Sequence, residues 1–282
     1  MKKIIFDLYR YQILPKDRHF QLNFFHEIKS LDELIEKKNK IFADALLSIK
    51  IFKTKKSIIK HKLLHQQEDI YLFKFAVNRS LVIETEDFTE EEISNWPSVF
   101  VFFWNSPEKQ IIAIQHKWKA FQDTNFLAKA IIDAINNILG KWNLTVYYKT
   151  IFIEKAFWDL IKEYKGKIKD VNFELITPNL ANISDALSEE IKQFAIDTNA
   201  AKTKYELVSD PDSSISIDEH DPRIKGLVQY SSEGGGDISL KISGFKKRIH
   251  TKNSKKHIEI DEVEVSKLSS NELMELIRKL IG

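Results

Sequence analysis

The sequence predicts an α+β fold of mixed, mainly antiparallel sheets with packed helices, arranged as two subdomains. Three observations carry that expectation. Short apolar and β-branched runs are joined by polar connections of hairpin length. Amphipathic stretches open on helix caps. Near residue 150 the rhythm changes from hairpins to alternating strands and helices. The change divides the chain into an N-terminal α+β domain over 1–150, with hairpins and two long helices, and a C-terminal α/β domain over 151–282 with a basic β-ribbon.

Lys3 to Leu14 reads as the first strand, and Ser30-Leu-Asp-Glu33 as a capping box that starts a helix over Leu31 to Ile49. Ser57 to Leu64 and Ile70 to Val77 form strands joined through His65-Gln-Gln-Glu-Asp69, and Leu81 to Glu84 continues the sheet. Thr89-Glu-Glu-Glu92 is expected as a capped helical turn, ending before Pro97 because proline pushes its predecessor out of the α region. Ser98 to Trp104 is apolar without interruption, the mark of a strand covered on both faces. It turns through Asn105-Ser-Pro-Glu108 into Gln110 to Lys117 at the centre of the sheet. Asp123 or Thr124 caps a helix to about Leu139, which Gly140 stops, and Leu144 to Ile151 is the next strand.

Beyond residue 150 the expected order is helix Glu154 to Tyr164, strand Ile168 to Ile176, helix Ser184 to Thr198 and strand Lys204 to Ser209, a βα alternation. Asp210 to Ser214 is a turn, Ile215 to Asp218 a short strand, and Pro222 to Tyr230 a helix begun by its proline. Ser232 to Gly236 interrupts the chain. Ile238 to Ser243 and His257 to Val265 are expected to pair around a basic loop, and Ser269-Ser-Asn-Glu272 caps a last helix.

Composition removes whole classes of function. Across 282 residues, 43% hydrophobic and 30% charged, the chain can bury a core beneath a charged surface, and 19 Phe against 2 Met make that core rigid and aromatic. With Cys 0, disulfides, zinc thiolates and thiol nucleophiles are excluded together, and the cytoplasm is the expected compartment. Asp7 and Arg10 interrupt the opening residues before a signal core could form, and no apolar run approaches the ~20 residues of a membrane span. No GxxxxGK[ST], GxGxxG, GxSxG or HExxH motif is present, so no cofactor is expected and the reading leans away from an enzyme.

The net charge is only +2, so electrostatic recognition must be local. Gly244 to His257 holds Lys246, Lys247, Arg248, Lys252, Lys255 and Lys256 without an acid, and the acid-free stretch 45–67 holds Lys50, Lys53, Lys55, Lys56, Lys60 and Lys62. Cations clustered on a β-ribbon can neutralise phosphates and fit a groove; lysines on a sheet edge also simply prevent aggregation. Both readings stand at this point. Glu84, Glu86, Asp87, Glu90, Glu91 and Glu92 form the opposite patch. Asp210, Asp212, Asp218, Glu219 and Asp221 gather around a turn either as solvated acids or around one metal ion, with Asp212, Asp218 and Asp221 the candidate ligands. His61 and His65 have metal-ligand spacing only on a helix, and Glu163-Tyr-Lys165 has nuclease-like spacing at a helix end. Glu233-Gly-Gly-Gly-Asp237 reads either as an anion nest or as a flexible lead into a strand.

Asn78-Arg-Ser-Leu-Val82, an acidic turn, Trp96-Pro-Ser-Val-Phe-Val101, a hairpin and a helix together resemble the RexA-like phage-exclusion proteins of temperate phage. These are DNA-binding components of abortive-infection systems. Leu175 to Gly244 follows a similar order of elements. The resemblance implies a two-domain α+β homodimer that binds double-stranded DNA with little sequence preference. It carries over no catalytic residue, and residues 31–49 and 245–257 lie outside it. The expected function is therefore nucleic-acid binding without catalysis, within anti-phage defence, alongside a partner protein encoded nearby. Two alternatives differ in class: a metal-dependent nuclease built on the acidic 210–221 loop, and a structural or sensor subunit acting through protein contacts.

Overall fold

The structure is a computed structural model that describes residues 2–17, 28–53, 57–177 and 189–282. The chain begins with β1 (Lys3–Pro15), α1 (Leu31–Ser48), β2 (Ile51–Lys53), β3 (Ile58–Gln67) and β4 (Ile70–Val77). Next come β5 (Arg79–Glu84), β6 (Glu90–Asn95), β7 (Ser98–Asn105), β8 (Gln110–Gln115), α2 (Thr124–Leu139) and β9 (Leu144–Thr150). The second half holds α3 (Glu154–Glu163), β10 (Ile168–Ile176), α4 (Glu189–Asp197), β11 (Lys202–Val208) and α5 (Pro222–Tyr230). It ends with β12 (Gly236–Ile242), β13 (Ile249–His250), β14 (His257–Asp261), α6 (Glu262–Lys267) and α7 (Ser270–Ile281). The class is α+β, and the strand pairs are antiparallel.

The large sheet runs β14-β1-β8-β7-β4-β3-β2, with β9 also on β1. One flank of β1 pairs with β8. The other is shared, because Lys3 to Asp7 pair with β14 and Tyr9 to Pro15 with β9. The seam between them is closed by Leu8 N–H donating to Lys256 C=O, Ile151 N–H to Leu8 C=O, and Lys256 N–H to Ile151 C=O.

Alternation sends Tyr9, Tyr11, Phe73, Phe75, Val101 and Phe103 to one face, where α1 and α2 supply Phe42, Leu46, Leu127 and Ile131. Phe6, Leu8, Ile70, Leu72, Phe102 and Ala113 go to the other, under Val265 of α6 and Leu273, Met274 and Ile277 of α7. That explains the unbroken apolar run of β7: both faces are claimed, and each fully buried large side chain contributes roughly 1.5–3 kcal/mol. A second sheet, β11-β10-β12-β13, packs Phe173, Ile238 and Leu240 against Phe157 of α3 and Val228 and Tyr230 of α5. Lys149 of β9 and Glu174 of β10 join the sheets through an ion pair of 2.7 Å.

Several local expectations are corrected. Thr89 to Glu92 is not helical: Glu90–Asn95 is a strand that pairs with β5, and this hairpin forms a two-stranded sheet of its own, so Leu81 to Glu84 does not extend the main one. Cross-strand pairing of Leu81 with Ile93 overrides the local capping signal. The βα rhythm after residue 150 does not make a parallel sheet, because β10 is antiparallel to both neighbours. Nor do Ile238 to Ser243 and His257 to Val265 form a basic ribbon. β12 pairs with the two-residue β13, whereas β14 pairs with β1, where Ile258 and Ile260 complete an apolar face. Asp261 then caps α6. Residues 257–281 thus join the layers of the first sheet. Gly140 is right-handed helical, and Asn143, at φ 54°, makes the left-handed turn. Ile215 to Asp218 is not a strand. Of the helix expected over Ser184 to Thr198, residues 184–188 lie outside the described residues, as do Lys55 and Lys56. Among the described residues, no helix is long and apolar enough to cross a membrane.

Candidate nucleic-acid interface

The basic segment 244–257 crosses from the second sheet to the first, and the crossing divides its cations. Arg248 is bidentate on Asp170 and donates to Ser239 Oγ at 3.0 Å. Lys255 is enclosed by Asp7 at 3.2 Å, Asp123 at 3.0 Å, and the hydroxyls of Tyr9 and Thr124, both at 3.1 Å. Burial opposes the Lys255 charge, but Tyr9, Asp123 and Asp7 outweigh it and hold the ammonium above its ordinary pKa. Both cations therefore serve the fold. Lys246, Lys247, Lys252 and Lys256 are exposed, with Lys252 lying 3.9 Å from Asp237.

The acidic loop does not converge. Asp221 caps α5 and pairs with Arg223, whose side-chain hydrogen bond lowers its pKa to about 2. Asp218 accepts from His220 N–H, Glu219 pairs with Lys162 at 3.0 Å, and Asp210 and Asp212 are exposed. Among the described residues no three His, Asp or Glu side chains are placed to hold a metal ion, so Asp212, Asp218 and Asp221 are not brought together. His61 and His65 are separated by a register shift at Leu64. His61 pairs with Phe75 on the helix-covered face and His65 with Leu72 on the opposite one. Glu163 ends α3, and Lys165 follows it in the turn. The three glycines lead into β12 and are closely packed. A Cβ at Gly234 would lie 2.4 Å from Arg10 Cβ, one at Gly235 2.3 Å from the Tyr230 ring, and one at Gly236 2.7 Å from Glu174 O.

A different surface emerges on the large sheet, because α7 covers only half of its own face. The covered half holds Ile70, Leu72, Phe102 and Trp104. Along β4 the same alternation continues from Leu72 to Lys74 and Ala76, which lie opposite Lys62 and Lys60 of β3. Along β7 it continues from Phe102 to Phe100 and Ser98, the partners of Lys74 and Ala76, and along β8 from Ala113 to Gln115. Lys60, Lys62 and Lys74 are exposed, whereas Ala76, Ser98, Phe100 and Gln115 are half-buried. None of these positions is acidic.

Aromatic rings lie among these cations. Lys60 Nζ stands 4.7 Å from the centroid of the Trp96 ring, and Lys74 Nζ stands 5.4 Å from that of Phe100. At the rim, Lys117 Nζ donates to Ser98 C=O at 3.3 Å, and the turn after it exposes Trp118 to 67% between Lys117 and Lys119. Arg79 ties this turn to the root of the β5–β6 hairpin through Ala120 C=O. The acids Glu84, Glu86, Asp87, Glu90, Glu91 and Glu92 lie on that hairpin, together with exposed Val82 and Phe88. Of the cations singled out in the sequence, Lys60 and Lys62 join this face, and Lys53 ends β2. Lys74, Lys117, Trp96 and Phe100 were missed. Only Lys74 had a local sequence signal, as a lysine between two phenylalanines in the otherwise apolar run Tyr71-Leu-Phe-Lys-Phe75.

Comparison with protein-family models, with curated proteins and with solved structures finds no match for this chain.

Proposed function

We propose that this protein binds nucleic acid, without catalysing a reaction on it, through the open half of the central sheet. The observation that supports this reading is the alignment of Lys60, Lys62 and Lys74 on one acid-free face, with the Trp96 ring beside Lys60 and the Phe100 ring beside Lys74. Lys62 and Lys74 are directly opposed like charges, an arrangement that costs a sheet stability and that an anion bound to this face would relieve. A polyanion answers that repulsion, and each phosphate contact releases counterions. The resemblance to RexA-like proteins adds a setting to this reading: a cytoplasmic homodimer in an abortive-infection system, with a partner protein encoded nearby.

The test is a binding titration against mixed-sequence nucleic acid at two salt concentrations. Replacing Lys60, Lys62 and Lys74 together by Ala should weaken binding about equally for unrelated sequences. It should also flatten the log K against log salt slope by about 0.9 per lost contact, so roughly 2–3 in all. A folded triple variant with wild-type affinity and slope contradicts the assignment.

A further inference from the structure

We infer that the open sheet face accepts single-stranded nucleic acid, with unpaired bases stacked on Trp96, Phe100 and Trp118 and their phosphates held by Lys60, Lys62, Lys74 and Lys117. This rests on the reading just given and names the form of nucleic acid it takes. Width is the first argument. The face spans β3, β4, β7 and β8, and neighbouring strands lie ~4.8 Å apart, so the backbone alone is about 14 Å across before side chains are added. A major groove about 12 Å wide admits a helix or a two-stranded ribbon, not this surface.

The pairing of groups is the second argument. Two rings each carry an ammonium close to the face, 4.7 Å from Trp96 and 5.4 Å from Phe100. A nucleotide from an unpaired strand offers a flat base to the ring and a phosphate to the cation beside it. A duplex hides its base faces in its own stack and leaves the rings without a partner. Trp118 is the third. A tryptophan 67% exposed in a tight turn between two lysines has no packing role to explain it, whereas base stacking uses that combination.

The experiment compares a labelled mixed-sequence single strand with its blunt duplex, for the wild type and for Trp96→Leu, Phe100→Leu and Trp118→Ala. Leucine preserves apolar packing where the rings are half-buried, and Trp118 is exposed enough that its removal leaves the fold intact. The single strand should bind at least tenfold more tightly than the duplex. Each aromatic replacement should weaken it by about 5- to 100-fold with an unchanged salt slope, because stacking releases no counterions. Duplex binding as tight as single-strand binding, or aromatic variants that bind the single strand normally, overturns the inference while the lysine-dependent reading survives. Absence of binding to both overturns the two together.

Discussion

Lys255 and Lys256 are adjacent, chemically identical and indistinguishable in sequence, yet they have opposite roles. The Lys255 ammonium is held among Asp7, Asp123, Tyr9 and Thr124, while the Lys256 side chain is exposed and only its backbone closes the seam on β1. Lys255→Ala strands Asp7, whose side chain is 10% exposed, without its cation. The cost should be about 2–3 kcal/mol, less than the ~3–5 of a fully buried pair because Lys255 keeps 25% of its side chain in contact with water. Lys256→Ala should stay within ~0.5 kcal/mol. Urea unfolding of the two variants checks this, and equal stabilities contradict it. The basic run was legible as charge; its division into structural and free cations was not, because the carboxylates come from residues 7, 123 and 170.

Elements governed by local rules were legible, and those governed by distant partners were not. Ser269 and Glu272 form the capping box read from their spacing, Asp123 caps α2, and Pro222 opens α5. At α1 the Ser30 hydroxyl accepts from Glu33 N–H as expected, although the Glu33 carboxylate reaches back to Lys29 N–H. The β14 alternation was visible, but its partner lies at the other end of the chain, with Lys3 opposite Asp261. The glycine triplet shows the same limit, since only the assembled structure reveals how closely it is packed. Gly235→Ala would drive a methyl into the Tyr230 ring. That ring is buried and anchored by its hydroxyl to Ile176 C=O at 2.8 Å, so it cannot yield. The expected loss is about 3 kcal/mol or more. Gly166, at φ +76° with open space around it, should lose only about 1–2 kcal/mol on the same change. Unfolding free energies in the reverse order contradict this packing.

At the scale of the whole molecule, two sheets and their three apolar clusters are fastened by one polypeptide that leaves the first sheet after β9 and returns to it as β14. The segment 245–257, which looks like a binding ribbon in sequence, is the crossing between the sheets, fixed by β13, by Arg248 on Asp170 and by Lys255 on Asp7. The return also brings α7 onto the sheet, but only far enough to bury Leu72 and Phe102, which leaves Lys62 and Lys74 exposed and Phe100 half-buried at the edge of the covered patch. That α+β architecture was legible; the open face was not, because it depends on where one helix stops. Ultraviolet cross-linking of the protein to mixed-sequence single-stranded nucleic acid, followed by peptide mass spectrometry, tests this central claim most directly. The account predicts adducts on the peptides that carry Trp96, Phe100 and Trp118, whereas adducts confined to 245–257, or none at all, would contradict it.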